Sequence, residues 1–331
     1  MKEGLITCCI IALFCSCTKE PPAIENSEKV LEFAQNVNTE NVFPLIEQIY
    51  QIHINDVPID NEGFPPDELF PSDHLTRNAA VGFVAQELKN MEYLVDTVVC
   101  GTEHPIAYNV VAEHKGTVNP NSVILVGCHL DAFYGGADDN TSAVAAMLEI
   151  ARAAKNYSFK KTIRFVAFDL EEYGSIGSTR YIEDGYANDV TGAIVMDLIG
   201  YSYEEPGSQK NIMGMDFPDK GNFLFVAGNK NSIELTQKII SFSHINKIGN
   251  PLGILAPNDA VYFLSSVFMR SDHGLLWYKG LPAVFFSDGA NFRNPNYHKP
   301  TDTPSTLNQD FLKLNTKLVA ASLAILAEIQ P

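Results

Sequence analysis

Basic residues are scarce in this chain. Lysine and arginine together number 23 against 40 aspartates and glutamates, which gives a net charge of -17 over 331 residues. Such an excess of negative charge argues against nucleic acid or an anionic membrane surface as the main partner. It suits a cationic substrate or a bound divalent metal, and a soluble acidic surface explains it equally well.

Cysteines are few in the body of the chain. Four of the six lie between positions 8 and 17, which leaves only Cys100 and Cys128 beyond the N-terminus. A single pair is not a disulfide framework, and the sequence leaves open whether the two meet. With 46% hydrophobic and 19% charged residues, the composition is that of an ordinary globular protein. A chain of this length can bury a large hydrophobic core without the help of disulfide bonds.

The apolar run at the N-terminus is too short to span a bilayer as a helix. It extends from Leu5 to Phe14 and follows the positive charge of Lys2, as in the hydrophobic part of a signal peptide. Directly after it, Cys-Ser-Cys ends with the small Ser16 before Cys17, which resembles the end of a bacterial lipoprotein signal. This pattern indicates export and attachment of a lipid.

We therefore expect a signal peptide at residues 1–16, lipidation at Cys17 and a tether at residues 17–24, where two prolines favour an extended linker. Plain secretion and an uncleaved anchor are the alternatives to lipidation. Residues 25–331 are predicted to form a single domain, because no internal repeat or convincing boundary follows residue 25. The predicted location is the bacterial cell envelope, as a periplasmic or outer-membrane lipoprotein.

Short, nearly continuous apolar runs recur through the chain, as in strands that are buried on both faces. Stretches with helical periodicity separate several of them. This alternation predicts an α/β fold of three layers, in which a mostly parallel central sheet is flanked by helices. The predicted strands are 93–100, 108–113, 123–128, 162–168, 193–196, 223–227 and 283–286; the predicted helices are two between 25 and 50 that break before Pro44, then 79–91, 142–155, 176–184, 232–246 and 311–329, with a loop at 55–72.

Imidazoles and carboxylates follow several predicted strands, at the positions where ligands bind in open α/β sheets. Few basic residues lie near them in the sequence. Buried carboxylates repel one another unless a cation lies among them, and two histidines with several carboxylates suit zinc best. The residues concerned are His129, Asp131, Asp138, Asp139, Asp169, Glu171, Glu172, Asp197, Asp288, Tyr297 and His298.

Each of these residues also has an ordinary structural explanation. Asp138 and Asp139 precede a predicted helix, where capping residues are expected. The pair of Glu171 and Glu172 alone fits a solvated surface, and a lone His129 fits a core histidine bonded to a neighbour. These explanations weaken together, because several independent coincidences would have to fall on one edge of the sheet.

Five motifs occur in order across roughly residues 75 to 330. They are Gly127-Cys-His-Leu-Asp131, Gly136-Ala-Asp-Asp-Asn140, Phe168-Asp-Leu-Glu-Glu-Tyr-Gly174 with Gly177-Ser178, Met196-Asp-Leu-Ile-Gly200 and Tyr297-His298. Each motif is weak alone, whereas the ordered set is specific. Taken together they resemble the M28 family of co-catalytic zinc aminopeptidases.

This resemblance implies a site that holds two zinc ions per chain. One ion would be held by His129, Asp139 and Asp197. The other would be held by Glu172 and His298, together with Asp139 as the bridge between the two ions. The family's bridging residue matches the second aspartate of the Asp-Asp pair, so the first is the less favoured bridge.

The resemblance also implies roles for residues beside the ligands. Asp131 matches a carboxylate that orients the imidazole of His129. Glu171 matches the general base that takes the proton of the attacking water and passes it to the leaving amine. Tyr297 matches a hydroxyl that stabilises the tetrahedral oxyanion. In Arg270-Ser-Asp-His273, also similar to a family segment, the aspartate and histidine are interpreted as residues behind the ligands or in the pocket wall, with a surface turn as the alternative.

The activity implied is removal of N-terminal residues from peptides with a free amine. Glutaminyl cyclases are the main alternative, since they share the scaffold and most ligands but use a single zinc and release ammonia. The presence of His129 and the compact segment from Glu172 to Ser178 favour the peptidase. A non-catalytic peptide-binding domain is less favoured, because a pure binder needs no base at Glu171. The preferred side chain, the native metal and the oligomeric state do not follow from the sequence.

Overall fold

A computed structural model of the chain describes residues 23–59, 71–101, 105–212, 215–256 and 267–331. The predicted signal peptide at 1–16, the predicted lipidation site Cys17 and most of the predicted tether lie outside these residues, as does most of the predicted loop at 55–72. The described residues form an eight-stranded sheet and a two-stranded sheet with helices packed around them. The predicted three-layer α/β fold is confirmed.

The large sheet has the strand order β2-β3-β6-β4-β7-β10-β8-β9, and β1 pairs with β5. The strands are β1 Leu75–Thr76, β2 Val95–Cys100, β3 Ala107–His114, β4 Asn119–His129, β5 Ala132–Phe133, β6 Lys161–Phe168, β7 Val190–Met196, β8 Leu224–Gly228, β9 Pro251–Leu255 and β10 Ala283–Ser287. Five of them, β2, β3, β6, β8 and β10, lie within two residues of the predicted runs, and β4 and β7 begin three to four residues before theirs. A continuous apolar run marks a strand that is buried on both faces.

Four parallel strands, β6, β4, β7 and β10, form the centre of the large sheet. Their carboxyl ends are level: His129 of β4 pairs with Phe168 of β6, and Met196 of β7 pairs with Phe286 of β10. The chain therefore leaves all four strands at one edge, and the segments that follow them lie side by side.

The sheet was predicted to be mostly parallel, and its antiparallel pairs involve the outer strands. β3 runs antiparallel to β6, and β8 runs antiparallel to β10 and parallel to β9. A strand that is buried on both faces has the same apolar composition in either direction, so the run at 223–227 carries no signal of its orientation. The sequence pattern does not predict β9, because proline and glycine interrupt its few apolar residues.

Helices cover both faces of the sheet. They are α1 Ser27–Asn36, α2 Val42–Asn55, α3 Asn78–Asn90, α4 Thr141–Ala154, α5 Ile176–Glu183, α6 Ile233–Asn246, α7 His273–Tyr278 and α8 Gln309–Leu326. Side chains of α1, α2, α3, α4, α6 and α8 form one apolar core with the sheet, and those of α5 and α7 form a second. Within the described ranges, no helix is both long enough and apolar enough to cross a membrane.

The first two helices break at a different place from the one predicted. α1 ends at Asn36 and α2 begins at Val42, so Pro44 lies inside the first turn of α2. The backbone N–H groups of a first turn have no partner within the helix, and a proline there removes no hydrogen bond. α2 then continues to Asn55, beyond the predicted end.

Candidate metal centre

The candidate site is built by the segments that follow the four parallel strands. His129 is the last residue of β4, and Asp197 comes directly after β7. Glu171 and Glu172 lie in the turn between β6 and α5, and His298 lies in the irregular segment between β10 and α8. The level ends of the strands therefore bring residues from distant parts of the chain to one edge.

Asp139, in the loop between β5 and α4, lies between the two histidines. Its Oδ1 is 3.3 Å from His129 Nε2, and its Oδ2 is 3.2 Å from His298 Nε2. On one side, Asp197 Oδ1 is 3.4 Å from His129 Nε2; on the other, Glu172 Oε2 is 2.9 Å from His298 Nε2. The structure thus brings the five predicted ligands together as two sets that share Asp139, and all five are buried.

Asp131 contacts both the imidazole and the glutamate turn. His129 Nδ1 lies 3.0 Å from the backbone carbonyl oxygen of Asp131 and 3.5 Å from its carboxylate, so the carbonyl makes the shorter contact. A hydrogen bond donated by Nδ1 leaves Nε2 free to act as a ligand. The carboxylate accepts the backbone N–H groups of Glu171 and Glu172, each at 3.1 Å. One side chain therefore sets the position of two neighbouring parts of the site.

Asp138 points away from the histidines although it neighbours Asp139. Its Oδ1 accepts the backbone N–H of Gly200 at 3.0 Å, and its Oδ2 accepts the side-chain amide of Asn294 at 2.8 Å. Asp302 accepts the backbone N–H groups of both aspartates at 3.1 Å. Of the two aspartates considered as a bridge, Asp139 is the one that faces the histidines.

Asp302 and Asn140 are positioning residues that the sequence reasoning missed. Asn140 spans two segments, because its amide donates to the carbonyl of Met196 at 3.0 Å and its carbonyl accepts the N–H of Leu198 at 3.0 Å. It therefore holds the loop that carries Asp139 against the end of β7. Asp302 lies four residues after His298, and this nearness to a candidate ligand in the sequence could have marked it as part of the site.

Another acidic residue at this edge is neutralised by an arginine. Asp169 forms a buried ion pair with Arg77 and accepts the N–H of Tyr108 at 2.7 Å. Arg77 is thus an exception to the expectation that few basic residues lie near the carboxylates. Arg77 is 92 positions away from Asp169 in the chain, so spacing along the sequence could not reveal the contact.

Burial and crowding of like charges shift the pKa values of the cluster. Burial raises the pKa of Glu172 to about 8, and it raises the pKa of Glu171 well above its usual value, with Asp197 adding to the effect. Burial alone would lower the pKa of the histidines, but carboxylate neighbours raise the pKa of His129 and of His298 well above the usual value. Negative charge is therefore in excess, and a divalent cation would relieve the repulsion.

The donor atoms of the cluster fit a metal ion. Glu172 Oε1 is buried and has no hydrogen-bond partner within the described part of the chain. One donor atom each of His129, Asp139 and Glu172 lie within 4.8 Å of one another. Imidazole nitrogen combined with carboxylate oxygen is a donor set that zinc favours. The residues present therefore fit the metal that the sequence motifs imply.

Glu171 and Tyr297 lie beside the ligands. Glu171 Oε1 accepts the hydroxyl of Ser175 at 3.1 Å, and its Oε2 is 4.0 Å from His129 Nε2. The ring of Tyr297 stacks on that of His298, with centroids 3.7 Å apart and planes at 19°. Burial raises the pKa of the Tyr297 hydroxyl well above its usual value, so the group stays protonated and can donate a hydrogen bond. A carboxylate and a donor thus accompany the ligand cluster.

The segment before α7 forms a wall of the site. His273 Nε2 donates to the carbonyl oxygen of Phe268 at 2.6 Å, and its ring stacks on Phe285 of β10 at 3.9 Å. Burial lowers the pKa of His273 to about 3, so the ring is neutral. Burial also raises the pKa of the neighbouring Asp272 to about 7. Both residues are buried, which is inconsistent with the alternative of a surface turn.

An apolar pocket opens beside the ligand cluster. It encloses about 630 Å³ of empty space, part of it open to solvent. Asp197 and Tyr297 line the side nearest the ligands, and Arg270 is the one positively charged residue among the described residues that line it. The other walls are mainly apolar and include Ile212, Phe225, Ile254, Phe268, Phe285 and Phe292.

Comparison with known sequences points in the same direction as the geometry. The profile of Peptidase family M28 matches residues 109–323. The uncharacterized protein YfbL of Escherichia coli K12 is 30% identical over 217 residues, which are 60% of this chain and 65% of that protein. Leucine aminopeptidase 2 of Trichophyton rubrum is 24% identical over 273 residues, which are 73% of this chain and 51% of the relative. The chain thus spans about half to two thirds of the length of these relatives.

Solved structures share the fold. The LapA aminopeptidase of Legionella pneumophila has a TM-score of 0.66 at 18% identity, with 94% of this chain and 78% of that chain covered. A glutaminyl cyclase of Porphyromonas gingivalis has a TM-score of 0.56 at 16% identity, with 87% of this chain and 98% of that chain covered. At these identities the likeness concerns the fold.

Proposed function

The chain belongs to peptidase family M28, and we propose from this premise that it is a metal-dependent exopeptidase that removes residues from the N-terminus of peptides. The observation that carries the proposal is the pair of histidine–carboxylate sets that share Asp139, with Glu171 beside them. The relative named leucine aminopeptidase 2 supports the class of substrate.

Zinc is the proposed metal, with two ions per chain. His129, Asp139 and Asp197 would hold one ion, while Asp139, Glu172 and His298 would hold the other. When bound, zinc supplies a Lewis acid that polarises a carbonyl group and lowers the pKa of water. The donor types and the excess of negative charge support this assignment.

The proton transfers would fall to the protein's own side chains. Glu171 would take a proton from the attacking water and return it to the leaving amine, and the hydroxyl of Ser175 would hold one of its oxygens in place. The hydroxyl of Tyr297 would donate a hydrogen bond to the oxyanion that forms at the scissile carbonyl. The substrate's free ammonium group would lie against the acidic cluster, which would limit cleavage to the first residue.

The side chain of that first residue would enter the apolar pocket. Phenylalanines such as Phe225, Phe268 and Phe285 line this pocket, and apolar walls of this kind are typical of sites that bind small apolar groups. Burial of apolar surface contributes roughly 25 cal/mol per Å², so a leucine or phenylalanine side chain would gain more than an alanine. We therefore expect large aliphatic or aromatic residues to be removed fastest.

Glutaminyl cyclase activity is the competing candidate, because a cyclase shares the fold. Two complete ligand sets favour the peptidase, since a reaction that uses one zinc ion has no need of the second set. The residues of both sets converge on Asp139, and each histidine has its own carboxylate neighbour.

Mass analysis of a mixed peptide pool tests the proposal. The zinc-loaded protein should shorten unblocked peptides by one residue at a time and leave N-acetylated copies of the same peptides intact. A peptide that begins with glutamine should be shortened rather than lose only ammonia. Ammonia loss as the sole product, with one zinc per chain, would replace the peptidase by the cyclase. No cleavage across the pool, with both metal sets filled, would leave only the family assignment.

The proposed site of action is outside the cytoplasm. The apolar run, Ser16 and Cys17 support export and lipid attachment in the bacterial cell envelope. The proposed organisation is the one the sequence predicts: a signal peptide at 1–16, a tether at 17–24 and one peptidase domain at 25–331. Peptides in that compartment would be the substrates.

A further inference from the structure

Arg270 reaches over the apolar pocket towards the ligand cluster. Its side chain is exposed, and it lies in the segment just before α7. This segment is anchored, because His273 Nε2 donates to the carbonyl of Phe268 at 2.6 Å while the His273 ring stacks on Phe285. The backbone that carries the arginine is therefore held against β10.

The guanidinium group of Arg270 makes two contacts that the proposed function does not use. Nη1 donates to Asn291 Oδ1 at 3.1 Å, and Nη2 donates to Tyr297 Oη at 3.4 Å. A guanidinium group has only donors, so the tyrosine oxygen must be the acceptor in the second contact. The single proton of the Tyr297 hydroxyl is then left for a different partner.

The position of the tyrosine ring limits where that partner can be. Tyr297 stacks on His298 with planes at 19°, so its ring is held flat against a candidate metal ligand. Arg270 and Tyr297 both line the pocket, and Asp197 lines it next to them. The hydroxyl therefore lies between the guanidinium group and the space beside the ligands, and its proton is available to a group in that space.

We propose that Arg270 is a positioning residue that holds the Tyr297 hydroxyl as a hydrogen-bond donor towards the scissile carbonyl of the substrate. The inference rests on the proposed exopeptidase function, since it assigns the tyrosine a substrate oxygen to meet. A cation that donates to the phenol oxygen strengthens the phenol as a donor when negative charge develops on the carbonyl oxygen. An interaction of this kind acts in the transition state, so its loss lowers kcat more than it changes KM.

A guanidinium group at the mouth of a pocket also suits a carboxylate ligand. In that case Arg270 would bind the free carboxylate of a short substrate, and its loss would raise KM for such substrates alone. A third role, as a tether for the segment before α7, would lower stability together with activity. The three roles differ in measurable ways.

The test compares Arg270→Ala, Arg270→Lys, Tyr297→Phe and the double variant Arg270→Ala/Tyr297→Phe. Lys313→Gln serves as the charge control, because it removes one positive charge from α8, where the partner is Glu40. kcat and KM are measured on the zinc-loaded proteins with a peptide amide and with the same peptide as a free acid. Guanidinium chloride at low millimolar concentration is then added to each variant.

We expect Arg270→Ala to lower kcat by roughly 10- to 100-fold on both substrates, with KM changed by less than about threefold. In the Tyr297→Phe background the same substitution should change kcat by less than about threefold, because the group through which it acts is gone. Added guanidinium should restore part of the lost kcat in Arg270→Ala and none in the double variant. The kcat of Arg270→Lys should lie between those of the wild type and Arg270→Ala, because an ammonium group donates hydrogen bonds but lacks the planar geometry of a guanidinium group.

A binding measurement gives a second readout. A phosphinic dipeptide analogue carries a tetrahedral oxygen anion at the position of the scissile carbonyl, whereas the product amino acid does not. Arg270→Ala should weaken binding of the analogue by roughly 10-fold and leave binding of the product unchanged.

Three results would overturn the inference while the proposed function stands. They are a loss of kcat that persists in the Tyr297→Phe background, a KM effect confined to free acids, and a fall in melting temperature that accounts for the loss of activity. A wild-type protein that neither cleaves peptides nor binds the analogue would overturn the proposed function itself, and the inference with it. The two failures are therefore distinguishable before any variant is made.

Discussion

Two consecutive aspartates, Asp138 and Asp139, lie in opposite surroundings although both are buried. Both side-chain oxygens of Asp138 accept hydrogen bonds from N–H groups of the protein, whereas those of Asp139 face the imidazoles of His129 and His298. Burial raises the pKa of Asp138 well above its usual value. Burial alone would raise the pKa of Asp139 too, but the two histidines lower it below its usual value.

The contrast separates two groups of acids at the same edge of the sheet. Asp131, Asp138 and Asp302 accept backbone or amide N–H groups, so their oxygens already have hydrogen-bond donors within the protein. Asp139 and Glu172 face the histidines and each other, and a cation among them would relieve the repulsion between the two carboxylates. Of these five acids, the candidate ligands are therefore the two whose oxygens receive no backbone or amide N–H group.

The largest expected effect comes from substitution of Glu171 and Glu172. The two variants test whether Glu172, which contacts His298, is a metal ligand while Glu171 is not. Glu171→Gln should keep its zinc and its fold but lose roughly 10³-fold or more in kcat, because it removes the proposed base and leaves both ligand sets intact. Glu172→Gln should instead lower the zinc content, which elemental analysis measures. Near-full activity in Glu171→Gln would show that the base has been assigned to the wrong residue.

The aspartate pair itself gives the next prediction. Asp139→Asn should lose metal and activity, since an amide is a poor ligand for zinc and the shared carboxylate is gone. Asp138→Asn should keep its zinc content and lose about 1–3 kcal/mol of unfolding free energy, because one buried N–H loses its acceptor. Elemental analysis and chemical denaturation of both variants make the comparison. Equal loss of zinc in the two variants would remove the distinction between the two groups of acids.

Removal of the metal from the unmodified chain tests whether the acids that face the histidines hold a cation. Chelation should abolish peptide cleavage and lower the melting temperature by roughly 5 °C or more, because a ligand that binds only the folded state stabilises it by mass action. Addition of zinc to the chelated protein should restore activity once about two zinc ions per chain are bound. The Asp138→Asn variant should show the same shift on chelation, since its metal ligands are unchanged. A melting temperature indifferent to chelation would argue against a metal between the histidines.

The smallest effect on the site is expected at the N-terminus. Cys17→Ser should abolish fatty-acid labelling and release the protein from the membrane fraction, while kcat on a soluble peptide stays within about twofold, because the residue belongs to the proposed anchor and not to either group of acids. Cys15→Ser is the matched control and should keep its label. Persistent labelling of Cys17→Ser would move the anchor elsewhere, and an unlabelled wild type would indicate simple secretion.

Much of the fold and of the site could be predicted. Apolar runs placed β4, β6, β7 and β10 to within a few residues, because strands that are buried on both faces need a continuous apolar sequence. The candidate ligands follow those strands directly, so chain order alone predicts that they share an edge. Three features could not be predicted because no pattern of neighbouring residues indicates them. They are the antiparallel direction of β8, the short strand β9 and the contact of Arg77 with the distant Asp169.

The sequence by itself determined the alternation of strands and helices and the kinds of residue that follow each central strand, since both depend on composition over a few neighbouring positions. The resemblance to a family favoured Asp139 over Asp138, but only the tertiary structure supplied the physical reason that Asp139 faces the histidines, and only it brought Arg270 to Tyr297. A side chain in a loop has no periodicity to set its direction, so its orientation depends on which donors the folded chain brings within reach. Those donors, the N–H of Gly200 and the amide of Asn294, come from parts of the chain far from Asp138 in sequence.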